Sequence, residues 1–398
     1  MHPCSKMIVC FTSIFTTLFA SSSIKEDSSQ KIVTENLAQL ADIQINGQRP
    51  WDIQVKDSRF YAKILSEGPI GLGEAYMDGW WDCQFLDECI YKMAAAYLEK
   101  RIKPTPSIIW EIIKAKFLNL QNKVLAKQSI HHHYDIGNEL FEKMLDARMI
   151  YSCGYWKNAT NLNEAQEAKL DLICRKLQLK PKMKLLDIGC GWGGFAKYAA
   201  EKYGVSVVGI TISEEQAALA RKVCAHLDVE IRLQDYRDLK DEQFDRIASI
   251  GMFEHVGYKN YRPFMEVAHR VLKDDGLFLL HTMGNLNTVT SMDEWIDKYI
   301  FPHYLLPSLE HMHLSSHNLF ILEDLHNFGA DYDKTLMAWA KNFNQHWDSL
   351  KSEYDERFFR MWNFYLHYVA GSFRSRRIQL WQLVFSKNGV PGGYESIR

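Results

Sequence analysis

A strand that runs directly into a glycine-rich turn is the feature of this sequence with the clearest chemical meaning. The segment LLDIGCGWGG, residues 185–194, begins with the apolar pattern of a buried strand and continues into glycines, which leave the backbone open to a ligand. The helix predicted from about Phe195 directs its free amide groups at this turn, which suits a carboxylate or a phosphate. Asp187 and the spacing GxGxG distinguish the segment from the GxGxxG of dinucleotide folds. We predict a nucleotide-like ligand here; a tight turn without a ligand is the alternative for the segment taken alone.

Strands and helices alternate on both sides of this turn. A helix is predicted over residues 164–177, and the stretches KLLDIG, VSVVGIT, VEIRLQDY, FDRIASIG and LFLLHT read as strands separated by helices. Alternation at this spacing predicts an α/β fold with a doubly wound, mostly parallel sheet of the Rossmann-like kind, covered by helices on both faces. Ligands of such sheets lie at the carboxyl ends of the strands. The aromatic tail, residues 339–385, is predicted to be helical.

Length and composition predict more than one domain. The chain has 398 residues, of which 47% are hydrophobic, enough for a full core. We predict a smaller, mainly helical front domain over residues 24–103, a basic linker helix over 104–130 and a catalytic domain over 131–398. Residues 100–127, which overlap this linker, carry seven Lys or Arg and one acid. Two interpretations stay open for it: contact with an anionic membrane surface, and packing on the core as a domain linker.

Charge and cysteine usage exclude several classes of protein. The net charge of -2 indicates no global attraction to nucleic acid. The eight cysteines form no CxxC pair and no zinc-finger spacing, which favours reduced thiols and no structural metal. The run His131 to His133 predicts no metal site either, because consecutive side chains on a helix or strand face different directions.

Several motifs together carry a family resemblance. LLDIGCGWGG, GITISEEQ, LQDYRDL, GMFEHVG, LLHTMG and NFGADYD occur in this order, and GLGEAYMDGWWDC, HYDIGNELF and YSCGYW precede them. From about residue 32 to the end, the chain closely resembles the cyclopropane fatty acid synthase family of S-adenosylmethionine-dependent methyltransferases. The resemblance implies that the protein adds a methylene group to the cis double bond of an unsaturated phospholipid acyl chain. A carbocation forms in such a reaction and closes to a cyclopropane ring when it loses a proton.

The resemblance also implies where S-adenosylmethionine binds. The glycine turn would hold its methionine part near Asp187. Thr211 and Gln216 would bind the ribose in place of the usual acid, although SEEQ, residues 213–216, also fits a helix-capping box. The missing acid counts against NAD. The predicted cofactor-binding residues are Tyr151, Ser152, Asp187, Gly189, Gly191, Gly193, Thr211, Gln216, Gln234 and Asp235, the last two placed for the adenine.

The base implied by the resemblance is a bound bicarbonate ion in place of a protein side chain. Its predicted holders are the side chains of Cys153, Glu254, His281 and Tyr332, which are also the predicted catalytic residues, with the backbone at Met283. His281 and Tyr332 can donate to an anion. A bare Glu254 would repel bicarbonate, so one of the two must carry or share a proton. Aromatic rings are expected to shield the carbocation; the candidates are Tyr155, Tyr304, Tyr332 and Tyr365.

A reaction on phospholipid acyl chains predicts a protein that works at a membrane. We expect a cytoplasmic protein, peripherally associated with the inner face of the cell membrane, that binds unsaturated phospholipid and an anionic bilayer surface, forms a possible homodimer and binds no nucleic acid. Residues 1–23 resemble a short secretory signal, but a mis-assigned start or a disordered extension is favoured because the cofactor is made in the cytoplasm. Two alternatives stay open: a C-methyltransferase that gives methyl-branched or oxygenated chains, and a non-catalytic lipid-binding scaffold.

Overall fold

The computed structural model describes residues 30–97, 137–291 and 293–398. The chain divides into two compact units, with the boundary between Thr105 and Pro106. The signal-like segment, the basic linker helix and the HYD motif at His133 and Tyr134 lie outside the described residues. Within the described ranges, no helix is long and apolar enough to cross a bilayer.

The first unit is mainly helical. Its helices are α1 at residues 30–40, α2 Arg59–Glu67, α3 Pro69–Met77 and α4 Leu86–Ala95, and its short antiparallel strands are β1 Gln54–Val55 and β2 Trp81–Asp82. Gly68, at a φ of 61°, ends α2, and Pro69 starts α3 at a position where its missing N–H costs nothing. The indole of Trp81 is fully buried against the rings of Phe60 and Tyr76, at centroid distances of 6.2 and 5.1 Å. These aromatic contacts form the core of the unit.

A seven-stranded sheet is the centre of the described part of the second unit. Its strands are β3 Lys184–Ile188, β4 Ser206–Thr211, β5 Val229–Leu233, β6 Phe244–Ile250, β7 Leu272–Asn285, β8 Ile321–Asn327 and β9 Ile378–Ser386. The order across the sheet is β5-β4-β3-β6-β7-β9-β8. Neighbours from β5 to β7 pair in parallel, and β9 lies antiparallel between β7 and β8. The mostly parallel, doubly wound sheet predicted from the sequence is therefore confirmed.

Helices cover both faces of this sheet. They are α5 Asn138–Met144, α6 Leu162–Lys176, α7 Gly194–Tyr203, α8 Glu214–Cys224, α9 Tyr261–Val271, α10 Glu294–Tyr299, α11 Leu309–Ser316, α12 Ala330–Leu350 and α13 Glu356–Arg374. Alternate strand residues enter different cores: Leu185 packs in a cluster with Phe195 of α7, and Leu186 in a cluster with Phe264 of α9. Because successive strand side chains point to opposite faces, both faces of the sheet are buried.

The carboxyl-terminal part of the fold differs from the sequence prediction. The helical interpretation is correct as far as Arg374, but residues 378–386 form strand β9, so the prediction of helix up to residue 385 is wrong there. Strand β8 was not predicted either. Strand β9 pairs with β7 over nine residues, from Leu277 opposite Ser386 to Asn285 opposite Ile378. Short apolar runs do not distinguish strand from buried helix, and here the long-range pairing decides.

Candidate active site

The glycine turn has the conformation that its sequence predicts. It joins β3 to α7, and the φ values of Gly189, Gly191 and Gly193 are 84°, 53° and 83°, a region that other residues rarely adopt. Gly194 is required for a different reason, since a Cβ there would lie 2.3 Å from the backbone oxygen of Arg148. The turn and the segment that leads to residue 151 thus approach each other at backbone contact distance.

A cleft opens at the carboxyl ends of β3, β4 and β5. Nine of the ten predicted cofactor-binding residues line it: Tyr151, Ser152, Asp187, Gly189, Gly191, Thr211, Gln216, Gln234 and Asp235. Gly193 does not line the cleft. A Cβ on Gly193 would lie 3.1 Å from the Cβ of Ala220, so this glycine allows α7 and α8 to pack closely.

Asp187 provides a buried acid at the strand tip. Its side chain is 1% exposed, and Oδ2 has no hydrogen-bond partner among the described residues. Burial raises the pKa of Asp187 to about 7, because the charged form loses its hydration. An orphaned carboxylate oxygen in a ligand cleft is suited to a cationic group, and the α-ammonium of an amino acid is such a group.

At the end of β4, one residue caps helix α8 and two others face the cleft. Ser213 Oγ accepts a hydrogen bond from the backbone N–H of Gln216 at 3.2 Å and caps α8, as the capping box predicts. Thr211 Oγ1 donates to Gln216 Oε1 at 2.9 Å, and both of these side chains line the cleft. Ser213 therefore serves the helix, whereas Thr211 and Gln216 are available to a ligand.

The two residues predicted for the adenine lie after β5. Gln234 Nε2 donates to the carbonyl oxygen of Asp238 at 3.1 Å. Asp235 accepts a hydrogen bond from the backbone N–H of Arg237 at 2.9 Å and forms an ion pair with its guanidinium at 2.7 Å. Both side chains are thus held in place beside the cleft by their own loop.

Two buried polar residues of α6 hold the segment Tyr151–Cys153. Gln166 Nε2 donates to the backbone oxygen of Ser152 at 2.8 Å, and Lys169 Nζ donates to Ser152 Oγ at 2.7 Å. Both side chains are 0% exposed. Sequence reasoning missed them. Their spacing of three residues on the apolar face of a predicted helix was the sequence feature that could have indicated their burial.

Glu254, Met283 and His281 meet at β7. Glu254 Oε1 accepts the backbone N–H of Met283 at 2.7 Å, two residues after His281 on the same side of the strand. Both predicted side chains are 1% exposed, and Glu254 Oε2 and His281 Nε2 find no partner within the described ranges. Burial raises the pKa of Glu254 to about 7 and lowers the pKa of His281 well below its ordinary value. The N–H of Met283, predicted to face an anion, is occupied by the carboxyl group of Glu254.

His281 has a cross-strand partner that sequence reasoning missed. Gln382 of β9 lies directly opposite His281, and its Nε2 is 3.3 Å from His281 Nδ1. With the NH₂ of Gln382 facing the ring, Nδ1 accepts and the ring proton is on Nε2; the other tautomer requires the amide oxygen to face Nδ1. The unpartnered Nε2 is therefore a donor.

Cys153 contacts α12, the helix that carries Tyr332. Cys153 Sγ donates to the oxygen of Gly154 at 3.1 Å and lies 3.9 Å from Oγ1 of Thr335, one turn after Tyr332 on α12. Burial raises the pKa of Cys153 well above its ordinary value, so the thiol stays protonated. The ring of Tyr332 packs 4.7 Å from that of Phe373.

Aromatic rings connect the cleft to the polar cluster at β7, which consists of Glu254, His281 and the backbone of Met283. Tyr151 lines the cleft, and its hydroxyl lies 2.9 Å from that of Tyr365. Phe301 stacks on Tyr304 at 5.2 Å and contacts Tyr365 at 6.0 Å. The hydroxyl of Tyr304 donates to Sδ of Met283 at 3.5 Å, which brings these rings to the strand that carries His281.

Tyr155, another predicted aromatic candidate, is linked to His281 through the ring of Phe328. Its ring packs 5.4 Å from Phe328, and the Phe328 ring lies 5.8 Å from His281. The predicted aromatic candidates therefore divide into two groups, with Tyr304 and Tyr365 nearer the cleft.

Known proteins are similar to this chain in sequence. The sequence profile described as mycolic acid cyclopropane synthetase matches residues 121–383. The cyclopropane-fatty-acyl-phospholipid synthase of Escherichia coli strain K12 is 53% identical over 376 residues, which cover 94% of this chain and 98% of that protein. A probable fatty acid methyltransferase of Pseudomonas putida is 36% identical over 289 residues, 67% of this chain and 71% of the relative.

A solved structure gives the same result. The cyclopropane synthase MmaA2 from Mycobacterium tuberculosis superposes with a TM-score of 0.62 at 33% identity, covering 66% of this chain and 98% of that one. The chain belongs to the mycolic acid cyclopropane synthetase family of S-adenosylmethionine-dependent methyltransferases, enzymes that form cyclopropane rings on lipid acyl chains.

Proposed function

We propose that this enzyme converts the cis double bond of an unsaturated phospholipid acyl chain into a cyclopropane ring, with bicarbonate as the base. One observation carries the proposal. Glu254 Oε2 and His281 Nε2 are two buried polar atoms without partners among the described residues, and both belong to side chains at the same stretch of β7. Buried polar groups are nearly always paired, so a small polar ligand is expected to complete the hydrogen bonding of these atoms.

The reaction needs a base and a way to protect a cation. The alkene attacks the methyl carbon of the sulfonium, the carbon–sulfur bond breaks, and S-adenosylhomocysteine leaves. Loss of a proton from the added carbon then supplies the electron pair that closes the ring. Bound bicarbonate would supply the base for that proton. The other requirements fall on the chain itself.

Protonation of Glu254 allows an anion to bind beside it. With a pKa of about 7, the carboxyl group is protonated in a large fraction of molecules near neutral pH. The N–H of Met283 fixes Oε1, which leaves Oε2 to donate its proton to the anion. His281 stays neutral because burial lowers its pKa, and its Nε2–H is a second donor. Two donors without a buried formal charge suit a monoanion.

The aromatic rings at residues 151, 301, 304 and 365 supply the protected environment. Tyr304 and Tyr365 are buried, 6% and 4% exposed, so water is largely excluded from their surroundings. A cation over such desolvated ring faces gains about 2 kcal/mol. Exclusion of water also prevents its capture of the carbocation.

The name of the Escherichia coli relative supports phospholipid as the substrate. We further propose that the enzyme works on the inner face of the cytoplasmic membrane. The front unit and the basic segment at residues 104–130 would contact the anionic bilayer there. Vesicle sedimentation tests this: binding should increase with the anionic lipid fraction and decrease with salt.

The product of the reaction tests the proposed function. Purified enzyme is incubated with S-adenosylmethionine, bicarbonate and vesicles of a phospholipid with cis-monounsaturated chains, and the acyl chains are analysed by mass and proton NMR. A gain of one CH₂ with high-field cyclopropyl signals is expected. A methyl-branched or oxygenated chain would indicate the C-methyltransferase alternative, and an unchanged olefin would reject catalysis on this lipid.

A further inference from the structure

Lys169 is a buried ammonium group in the wall of the cofactor cleft. It lies on α6, its side chain is 0% exposed, and it lines the cleft together with Ser152 and Asp187. Its hydrogen bond to Ser152 Oγ uses one of its three donors. Within the described ranges, no carboxylate lies within 4.0 Å of Nζ, the distance of an ion pair.

An ammonium group in this position is expensive to bury. A desolvated charge with a single neutral partner is strongly unfavourable unless an opposite charge offsets it. Burial lowers the pKa of Lys169 to about 8, and the nearby Asp146 and Asp187 oppose this effect, so the group remains mostly charged at neutral pH. A residue whose only described role were to hold Ser152 would not need a charge. Gln166 holds the backbone of the same residue without one.

The cleft thus presents a buried ammonium group and a buried carboxyl group that are not paired with each other. Asp187 has an orphaned carboxylate oxygen, and Lys169 has donors to spare. The amino-acid part of S-adenosylmethionine is a zwitterion with its two charges a few ångströms apart. A zwitterion satisfies both groups at once, whereas either single charge would leave one of them uncompensated.

We propose that Lys169 Nζ, with Ser152 Oγ, receives the carboxylate of S-adenosylmethionine, while Asp187 receives its ammonium group. Lys169 then also determines which nucleosides the cleft binds. It selects against nucleosides that carry the amine but lack the carboxylate, because these place a net positive charge beside an uncompensated ammonium. The inference rests on the S-adenosylmethionine dependence of the family and does not depend on bicarbonate or on the lipid.

Calorimetry with two ligands tests this role without any turnover. The ligands are S-adenosylhomocysteine and its decarboxylated analogue, S-adenosyl-3-thiopropylamine, which differ only in the carboxylate. Wild-type protein should bind the first at least tenfold more tightly. K169M, which replaces the ammonium by an apolar side chain of similar length, should lose at least tenfold in affinity for S-adenosylhomocysteine and bind the analogue as well as wild type or better.

Q166M is the matched control, because it removes a buried hydrogen bond to Ser152 from the same helix without removing a charge. It should weaken both ligands by the same factor. If K169M also weakens both ligands equally, Lys169 only supports the segment and the proposal is wrong. If K169M does not fold, the wild-type comparison still decides, since equal affinity for the two ligands overturns the proposal. If the enzyme forms no cyclopropane ring but still prefers S-adenosylhomocysteine to the decarboxylated analogue, the proposed function is wrong and this inference stands.

Discussion

Replacing Glu254 by Gln should stabilise the ligand-free protein at alkaline pH and abolish most of its activity. The carboxyl group of Glu254 is buried, and its pKa is raised from the ordinary 4.5 to about 7 because burial penalises the charged form. The folded protein therefore binds a proton more tightly than the unfolded chain does. Stability from this group is fully present below about pH 4.5 and is lost as pH rises towards about 7.

The size of the effect follows from that difference. Each pKa unit is worth about 1.4 kcal/mol, so wild-type protein should lose about 3 kcal/mol of unfolding free energy between pH 4.5 and pH 8 through Glu254 alone. Glutamine keeps the shape of the protonated acid and its acceptor for the N–H of Met283, but it does not ionise. E254Q should thus resemble wild type at pH 4.5 and exceed it by about 3 kcal/mol at pH 8.

Urea unfolding at several pH values, in buffer freed of carbon dioxide, measures this difference. Asp187 contributes a similar pH dependence to both proteins, so the comparison isolates Glu254. Calorimetry with S-adenosylhomocysteine should give the same affinity for both proteins. Turnover by E254Q should decrease at least 100-fold, because the amide can still donate a hydrogen bond to bicarbonate but cannot share or exchange a proton with it as the carboxyl group can. Parallel stability curves for the two proteins would refute the reasoning about burial. Near-normal turnover would refute the role of the carboxyl group at the anion site.

Three further changes test other contacts. Gly194→Ala should weaken S-adenosylhomocysteine binding at least tenfold and destabilise the fold by about 2 kcal/mol, because the new Cβ would lie 2.3 Å from a backbone oxygen; full affinity by calorimetry would contradict this. Gln382→Glu should move the ring proton of His281 to Nδ1, visible in ¹⁵N NMR of labelled histidine, and lower turnover 10- to 100-fold; an unchanged tautomer would be the opposite result. Asp324→Asn should cost about 3 kcal/mol in urea unfolding, because it leaves the fully buried Lys176 unpaired and weakens the ion pair with Arg398, and adding Lys176→Met should restore the part of that loss that comes from the buried ammonium.

The part of the fold nearest the cofactor could be predicted from the sequence because its signals are local. The apolar end of β3, the glycines and the following helix occupy consecutive residues, and each is recognised within about ten positions. Even there, Gly193 serves helix packing and lies outside the cleft, a distinction that depends on where α8 lies.

The remaining features depend on contacts between distant residues. Strand β9 is nine residues long and buried, so its apolar run carries no clear period, and only pairing with β7 identifies it as a strand. Gln382 reaches His281 across 101 positions of sequence. Lys169 was overlooked because lysines are usually exposed. Its place on the apolar face of α6, with Gln166 three residues earlier, was the signal available.

The dependence of turnover on bicarbonate is the most direct test of the proposed chemistry. Initial rates of methylene transfer to unsaturated phospholipid vesicles are measured in buffer freed of carbon dioxide and then with increasing bicarbonate, at constant pH and ionic strength. The rate should rise and saturate, and the low residual rate of E254Q should not respond. A wild-type rate that is already maximal without bicarbonate would mean that the protein itself removes the proton, and the assignment of the site between Glu254 and His281 would be wrong.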